Sequence, residues 1–277
     1  MNYQDRLRSH LVKYKFRVLG VLSSGAWKGA RTGALAERPH ILPAGQERLN
    51  IVSPYRDRFW AEFGRGEGHA LGGDFAHLTS SQALGFNLFY PLVVDRAWAS
   101  AFVQELLGLK DATVRAAAFE YSADPHEGHH FDFFAELDSG ERLYFEPRLA
   151  EIGFRTLDVP PRERDRLLER YARRLAGLVE PKWLEPDEFF RRYELLRALS
   201  CLQRPQHRLY LVLPRENQSL SQALAILPDI ATAAAAERVH MLYLEDAVEG
   251  LRALARGRDE HLRKHYRELR EKYVPLE

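Results

Sequence analysis

The residues best suited to chemistry lie in one short stretch, FDFFAELDSGERLYFEPRLAE, residues 131–151. Asp132 and Glu146 each stand among aromatic residues. A carboxylate in a mostly apolar strand is costly unless something pairs with it, and a hard divalent cation is one good partner. The stretch reads as two antiparallel strands, Phe131–Leu137 and Arg142–Leu149, around an Asp138-Ser139-Gly140 turn signal. A three-residue loop would set Leu137 across from Glu141 and Asp132 across from Glu146, with Gly140 in the left-handed position such loops favour. Directly opposed residues share a face, and Arg148, two beyond Glu146, shares it too. Two carboxylates and a cation would then converge. A two-residue loop would separate Asp132 from Glu146, so the reading depends on the turn. The plain alternative is a surface hairpin with one polar face.

A second candidate precedes the hairpin. His126-Glu127-Gly128-His129-His130 matches H-E-x-x-H, a zinc-protease pattern that works only on a helix, where residues four apart face one metal. Asp124-Pro125 before it, Gly128 within it and a strand directly after it favour an exposed His-rich turn instead. The arginines of Arg162–Arg174 alternate with Glu163, Asp165 and Glu169, the pattern of a solvated helix face with internal pairs. A contact to a nucleic-acid backbone is the other reading, and Arg191, Arg192, Arg197, Arg204 and Arg208 are further phosphate candidates. Arg197 could equally be a buried partner of an acidic residue. Cys201, among leucines, reads as a small core residue. The glycines of 64–73 follow no strand, which excludes a nucleotide-binding fingerprint.

The elements that must position the hairpin follow from periodicity. Residues 1–18 are amphipathic and helical. Residues 20–75 are rich in Gly and Pro and read as irregular, with a short helix at Pro54–Phe63. Thr79-Ser80-Ser81-Gln82 can cap a helix through a side-chain oxygen. The apolar run Ala83–Leu92 follows, with a break or kink expected at Pro91. A helix over Ala97–Leu107 leads to a strand at Arg115–Tyr121 and then to the hairpin. Helices are predicted over Arg162–Leu178, Pro186–Gln203, Ser219–Ala235 and Asp246–Tyr273, and strands over Arg208–Leu213 and His240–Leu244. The order is helix, three-strand meander, helix, strand, helix, strand, helix. It predicts an α/β fold with a mixed sheet flanked by helices. We divide the chain into an N-terminal extension, 1–75, and a domain over 76–277.

Bulk properties narrow the function classes. With 277 residues, 45% hydrophobic and 29% charged, the chain can bury a sizeable core. A net charge of +1 gives no global attraction to nucleic acid or membrane, so DNA contacts need a local basic face. The single cysteine excludes an internal disulfide framework and a four-cysteine zinc site. No apolar run approaches the ~20 residues of a membrane span. The charged start lacks a signal-peptide core. A cytoplasmic protein without membrane association is the expectation.

Taken together, an acidic residue, a hairpin and a Glu-X-cation triplet resemble the active-site pattern of the PD-(D/E)XK nuclease superfamily. The chain further resembles a group of bacterial restriction-endonuclease-like proteins. The likeness is carried by Ser80-Ser81-Gln82, Asn87-Leu88-Phe89, Pro91-Leu92, Glu120, Phe131-Asp132-Phe133, Ser139-Gly140 and Phe145-Glu146 with Glu151. Tyr193-Glu194-Leu195-Leu196-Arg197 resembles the group's Y-Q-L-L-R helix, and Leu213-Pro214-Arg215-Glu216-Asn217 its strand exit. The resemblance spans roughly residues 75–245. It implies a restriction-endonuclease-like fold and hydrolysis of DNA phosphodiesters, in restriction or phage defence. It implies Mg²⁺ or Mn²⁺ on Asp132 and Glu146, helped by Glu120. Ser81 and Gln82 would shape the site. Apart from the resemblance, Arg197 is a candidate for binding substrate phosphate, and His129 or His130 for touching DNA at the rim of such a site. Nucleases of this class often dimerise, so a homodimer is one expected assembly. The departure is at Arg148, where the pattern has lysine, preceded by Pro147. Arginine can bind phosphate but cannot act as a general base. Proline removes a ladder donor from an interior strand. The alternative function is therefore a weak or inactive nuclease fold that binds nucleic acid.

Overall fold

The protein's structure, a computed structural model, describes residues 1–28, 35–63, 71–121 and 131–274, with only the backbone of residues 120, 121, 131 and 161. The His-rich segment with His129 and His130 and the glycines at 64, 66 and 68 lie outside the described residues. The chain opens with α1 (Tyr3–Arg17), a ribbon of β1 (Gly25–Lys28) and β2 (Leu35–Arg38), and α2 (Ser53–Phe63). Next come α3 (Ser81–Val94), α4 (Arg96–Glu105), β3 (Val114–Tyr121), β4 (Phe131–Leu137) and β5 (Arg142–Pro147). Helices α5 (Pro161–Leu175), α6 (Pro186–Arg191) and α7 (Tyr193–Leu199) precede β6 (Arg208–Leu213). The chain closes with α8 (Gln218–Leu224), α9 (Leu227–Ile230), α10 (Ala233–Ala236), β7 (Val239–Tyr243), α11 (Leu244–Leu254) and α12 (Glu260–Tyr273).

The main sheet runs β3-β4-β5-β6-β7, antiparallel from β3 to β5 and parallel from β5 to β7. The predicted mixed sheet flanked by helices is what the chain forms. One face packs on α1, α2, α3, α4, α11 and α12 through Phe133, Phe145, Tyr210 and Val212. Phe89 stacks on Phe133 with centroids 4.4 Å apart. The other face packs on α5 to α10 through Phe134, Tyr144, Leu209 and Leu211. Leu7, Leu11, Ile51 and Phe59 belong to the same buried cluster as Phe133 and Phe145, so residues before 76 share a core with the sheet. Among the described residues, no helix is long and apolar enough to cross a membrane.

Five expectations need correction. The helix predicted over Pro186–Gln203 is two, α6 and α7, divided at Arg192. The 20–75 stretch is not wholly irregular, because β1 and β2 pair from Gly25–Arg38 to Lys28–Leu35. The helix after Ser80 does not break at Pro91 but runs on to Val94. Proline at 91 lacks the N–H that would bond the Asn87 carbonyl, and the His265 Nε2–H supplies that bond instead, at 2.7 Å. The predicted helix over Ser219–Ala235 is three short ones, with Pro228 at the start of α9. The closing helix is divided in two, and Asp259 caps α12 by accepting from the Leu262 N–H at 2.9 Å.

A buried polar network ties α2, α3 and α12 together. The Asn87 side chain accepts from the Val52 N–H at 2.8 Å and donates to the Asn50 and Ala83 carbonyls and the Tyr273 hydroxyl. The Lys272 amine donates to the Asn50 carbonyl and, at 2.6 Å, to the Asn50 side-chain oxygen.

Candidate active site

The hairpin supplies the frame. Gly140 has φ +80°, the left-handed conformation the turn requires. Its N–H donates to the Leu137 carbonyl, and the Leu137 N–H to the Glu141 carbonyl, both at 2.9 Å. Glu136 pairs with Arg142 and Phe133 with Phe145; one step further, the same register brings Asp132 across from Glu146. On the other side of β4, Phe119 pairs with Phe133 and Tyr121 with Phe131, so Glu120 takes the position across from Asp132. Three acidic residues therefore occupy one row of adjacent strands. The side chain of Glu120 lies outside the described residues.

Alternation puts Asp132 and Glu146 on the face of Phe134 and Tyr144, toward α7. Glu146 is buried and Asp132 half-buried. Helix α3 comes close from the other side through Gly85. A Cβ there would stand 3.2 Å from Pro147 Cγ and 3.7 Å from the Asp132 Cβ, so a small residue lets the helix approach.

Arg148 follows directly. Pro147 is the last residue of β5, opposite Val212, where the lost ladder donor matters little; the next N–H, of Arg148, bonds the Val212 carbonyl at 2.7 Å. The Arg148 Nη2 stands 3.1 Å from Glu146 Oε2 and 3.0 Å from Glu194 Oε1. The Arg148 guanidinium also lies 5.8 Å from the Phe154 ring centroid. Burial works against its charge, but Glu146, Glu194, Glu151 and Asp132 outweigh burial and hold it protonated. Burial, and next the Glu146 carboxylate, push Asp132 well above the ordinary carboxylate range, against the pull of Arg148 and Arg197.

The remaining predicted residues divide. The Ser81 hydroxyl accepts from the Leu149 N–H at 3.0 Å and donates to Glu151 at 2.6 Å, so it fixes the chain leaving β5. Gln82 accepts from the Gly72 N–H at 2.8 Å. Arg197, on α7, is near enough for its charge to act on Asp132, and its Nε is buried without a hydrogen-bond partner. The exposed arginines Arg162, Arg166 and Arg173 line α5, as expected of a solvated face. Cys201 is a buried core residue.

Two contributors carried no local signal in the sequence. Glu194 was quoted only as part of a helix pattern, yet it reaches both Arg148 and, at 2.5 Å, the Arg155 N–H. Asn217, at the exit of β6, donates to the Leu149 and Glu151 carbonyls at 3.2 and 2.9 Å. It anchors the segment that follows Arg148. A cavity of about 300 Å³ opens beside the cluster, lined by Phe154, Arg191, Arg192, Leu195 and Gln222 among others.

Against known proteins, one family model matches, described as Restriction Endonuclease associating with ARP, over residues 8–274. The chain belongs to that family. Membership supports a nuclease role with DNA as the substrate, and the five-stranded mixed sheet flanked by helices is compatible with a restriction-endonuclease-like fold. No curated protein and no solved structure matches the chain.

Whether the residues fit a divalent cation can be judged from the cluster itself. Among the described residues, no three His, Cys, Asp or Glu side chains are gathered as a metal cage. Mg²⁺ does not need one, since it usually keeps several waters and takes one or two carboxylates plus substrate phosphate. Asp132, Glu146, Glu151 and Glu194 face Arg148 and Arg197, leaving a surplus of two negative charges when all are ionised. That charge and the opposed pair of carboxylates fit a divalent ion.

Proposed function

We propose that this family member is a divalent-metal-dependent DNA endonuclease of the PD-(D/E)XK type, acting in restriction or phage defence. The observation that carries the reading is the register that sets Asp132 across from Glu146, with Arg148 on Glu146. Asp132 and Glu146 would hold Mg²⁺ or Mn²⁺, with Glu120, next in the row, as a third ligand. The chemistry such an ion supplies is polarisation of the scissile phosphate and acidification of a bound water. Arg148 is a permanent cation, so its role is to orient and neutralise phosphate rather than to take a proton. Arg197 stands close enough to Asp132 to meet the same backbone. Arg191, Arg192 and Gln222 at the adjoining cavity would receive the flanking nucleotides. His130 at the rim and Gln82, in the first turn of α3, complete the proposed surroundings.

A second reading is a nuclease fold that binds DNA but cuts poorly. It is favoured by Arg148, whose guanidinium is engaged by two carboxylates rather than presented alone. Plasmid nicking with Mg²⁺ or Mn²⁺ separates the two. Cleavage by the wild type that is lost in Asp132→Ala supports the nuclease. Salt-sensitive DNA binding without metal-dependent cleavage, retained in Asp132→Ala, supports the second reading.

A further inference from the structure

Arg148 is itself a cation standing beside one of the proposed metal ligands. One nitrogen, Nη2, divides its charge between Glu146 at 3.1 Å and Glu194 at 3.0 Å. Glu194 is fixed for this task. Its second oxygen accepts the Arg155 N–H at 2.5 Å, and the Glu194 N–H donates to the Arg155 carbonyl at 3.4 Å. The carboxylate therefore cannot turn away without breaking a bond to the loop that carries Phe154, whose ring faces the guanidinium. Glu194 is only 7% exposed and the Arg148 side chain 13%, so water screens these charges weakly.

We propose that Glu194 is a positioning residue of the candidate metal site: by sharing Arg148, it keeps that internal cation from neutralising Glu146 alone. The inference rests on the reading of Asp132 and Glu146 as metal ligands. With Glu194 neutral, Arg148 loses the carboxylate that shares its Nη2 with Glu146, and a divalent ion must compete with a tighter Arg148–Glu146 pair. With Arg148 removed, nothing remains to be shared, and Glu194 loses its influence.

A double-mutant cycle on the full chain tests this, read by calorimetric titration with Mn²⁺ alone, so cleavage plays no part. Glu194→Gln keeps an oxygen for the Arg155 N–H. It is expected to weaken Mn²⁺ binding about tenfold, a loss of about 1.4 kcal/mol. Arg148→Met is expected to tighten binding. In the Arg148→Met background, Glu194→Gln is expected to change affinity less than about twofold, since the shared partner is gone. Additive effects would reduce Glu194 to a distant charge and overturn the proposal. An unchanged Mn²⁺ affinity in Glu194→Gln, with only its melting temperature shifted, would assign it a structural role and overturn the proposal as well. Should Glu194→Gln not fold, Glu194→Asp, too short to reach both Arg148 and the Arg155 N–H, is expected to weaken binding in the same direction, and unchanged affinity overturns the proposal there too. Binding lost in Asp132→Asn but indifferent to Glu194 sinks this inference while leaving the metal reading intact. Absence of saturable binding in both wild type and Arg148→Met sinks the metal reading and this inference with it.

Discussion

The polar cluster around Asn87 and the one around Arg148 are both buried, on opposite faces of one sheet, yet they are closed in opposite ways. Around Asn87 the partners are neutral: backbone carbonyls, a backbone N–H and a phenol. The amine of Lys272 donates there to oxygens of Asn50 and lies 4.7 Å from the Tyr273 ring centroid, and burial drives it far below its usual range. Around Arg148 the partners are ions, and the carboxylates outnumber the guanidiniums. A network whose needs are met inside the molecule is a fastening. A cluster with charge left over is what the proposed cation would complete, and it holds like charges together at a cost in stability.

Variants can break or sharpen that contrast. The largest effect is expected at Asp132. Asp132→Asn should lower metal-dependent DNA cleavage by more than about 100-fold, beyond the usual cost of losing a mere supporting group around a metal. Its unfolding midpoint should hold or rise, because a carboxylate that burial and Glu146 disfavour has been neutralised. A large loss of stability in this variant would place Asp132 with the fastenings. Next comes Asn87→Ala, which leaves the Val52 N–H without its acceptor and takes a donor from the Asn50 and Ala83 carbonyls and the Tyr273 hydroxyl. Denaturant unfolding should register a loss of about 3 kcal/mol. Cleavage by the folded protein at low temperature should not change, and a selective loss of cleavage would blur the two clusters.

The smallest of these effects is in acid. Burial holds the His265 imidazole down to about 3, from 6.5 for an exposed one. Between those values the unfolded chain takes a proton that the folded chain refuses. His265 therefore contributes stability above pH 6.5 that is lost as pH falls toward 3, at up to about 1.4 kcal/mol per pH unit. Urea unfolding at pH 7 and pH 5.5 should show the loss. A His265→Gln variant should show a shallower dependence, and an equal slope would mean that other groups set it.

How much of this was legible in the sequence depended on the range of the signal. The hairpin could be read because its information is local. A turn glycine and a strict period of two bring Asp132 to Glu146 without knowledge of the rest. The strand Arg208–Leu213 was equally plain from its apolar run. Glu194 was not, because nothing near it in sequence announces a guanidinium forty-six residues earlier. The Asn87 network was silent for the same reason: Asn50, Asn87 and Lys272 are scattered polar residues until α12 folds back against α2 and α3. Pro91 misled because the rule that proline breaks a helix assumes no other donor for the orphaned carbonyl, and His265 is that donor. The predicted long helices failed where short-range signals were outweighed. Pro228 at the start of α9 and the Asp259 cap of α12 restart the backbone within stretches whose periodicity looks continuous.

Lys272 and Lys15 carry one more consequence. Both side chains are fully enclosed, Lys15 donating to the Ser23 carbonyl at 2.8 Å and Lys272 to Asn50. Amines in this state are shielded from acylating reagents for as long as the enclosing helices stay closed. The two lysines thus act as internal clocks, and their rate of labelling would time the opening of α1 and α12 in the intact protein.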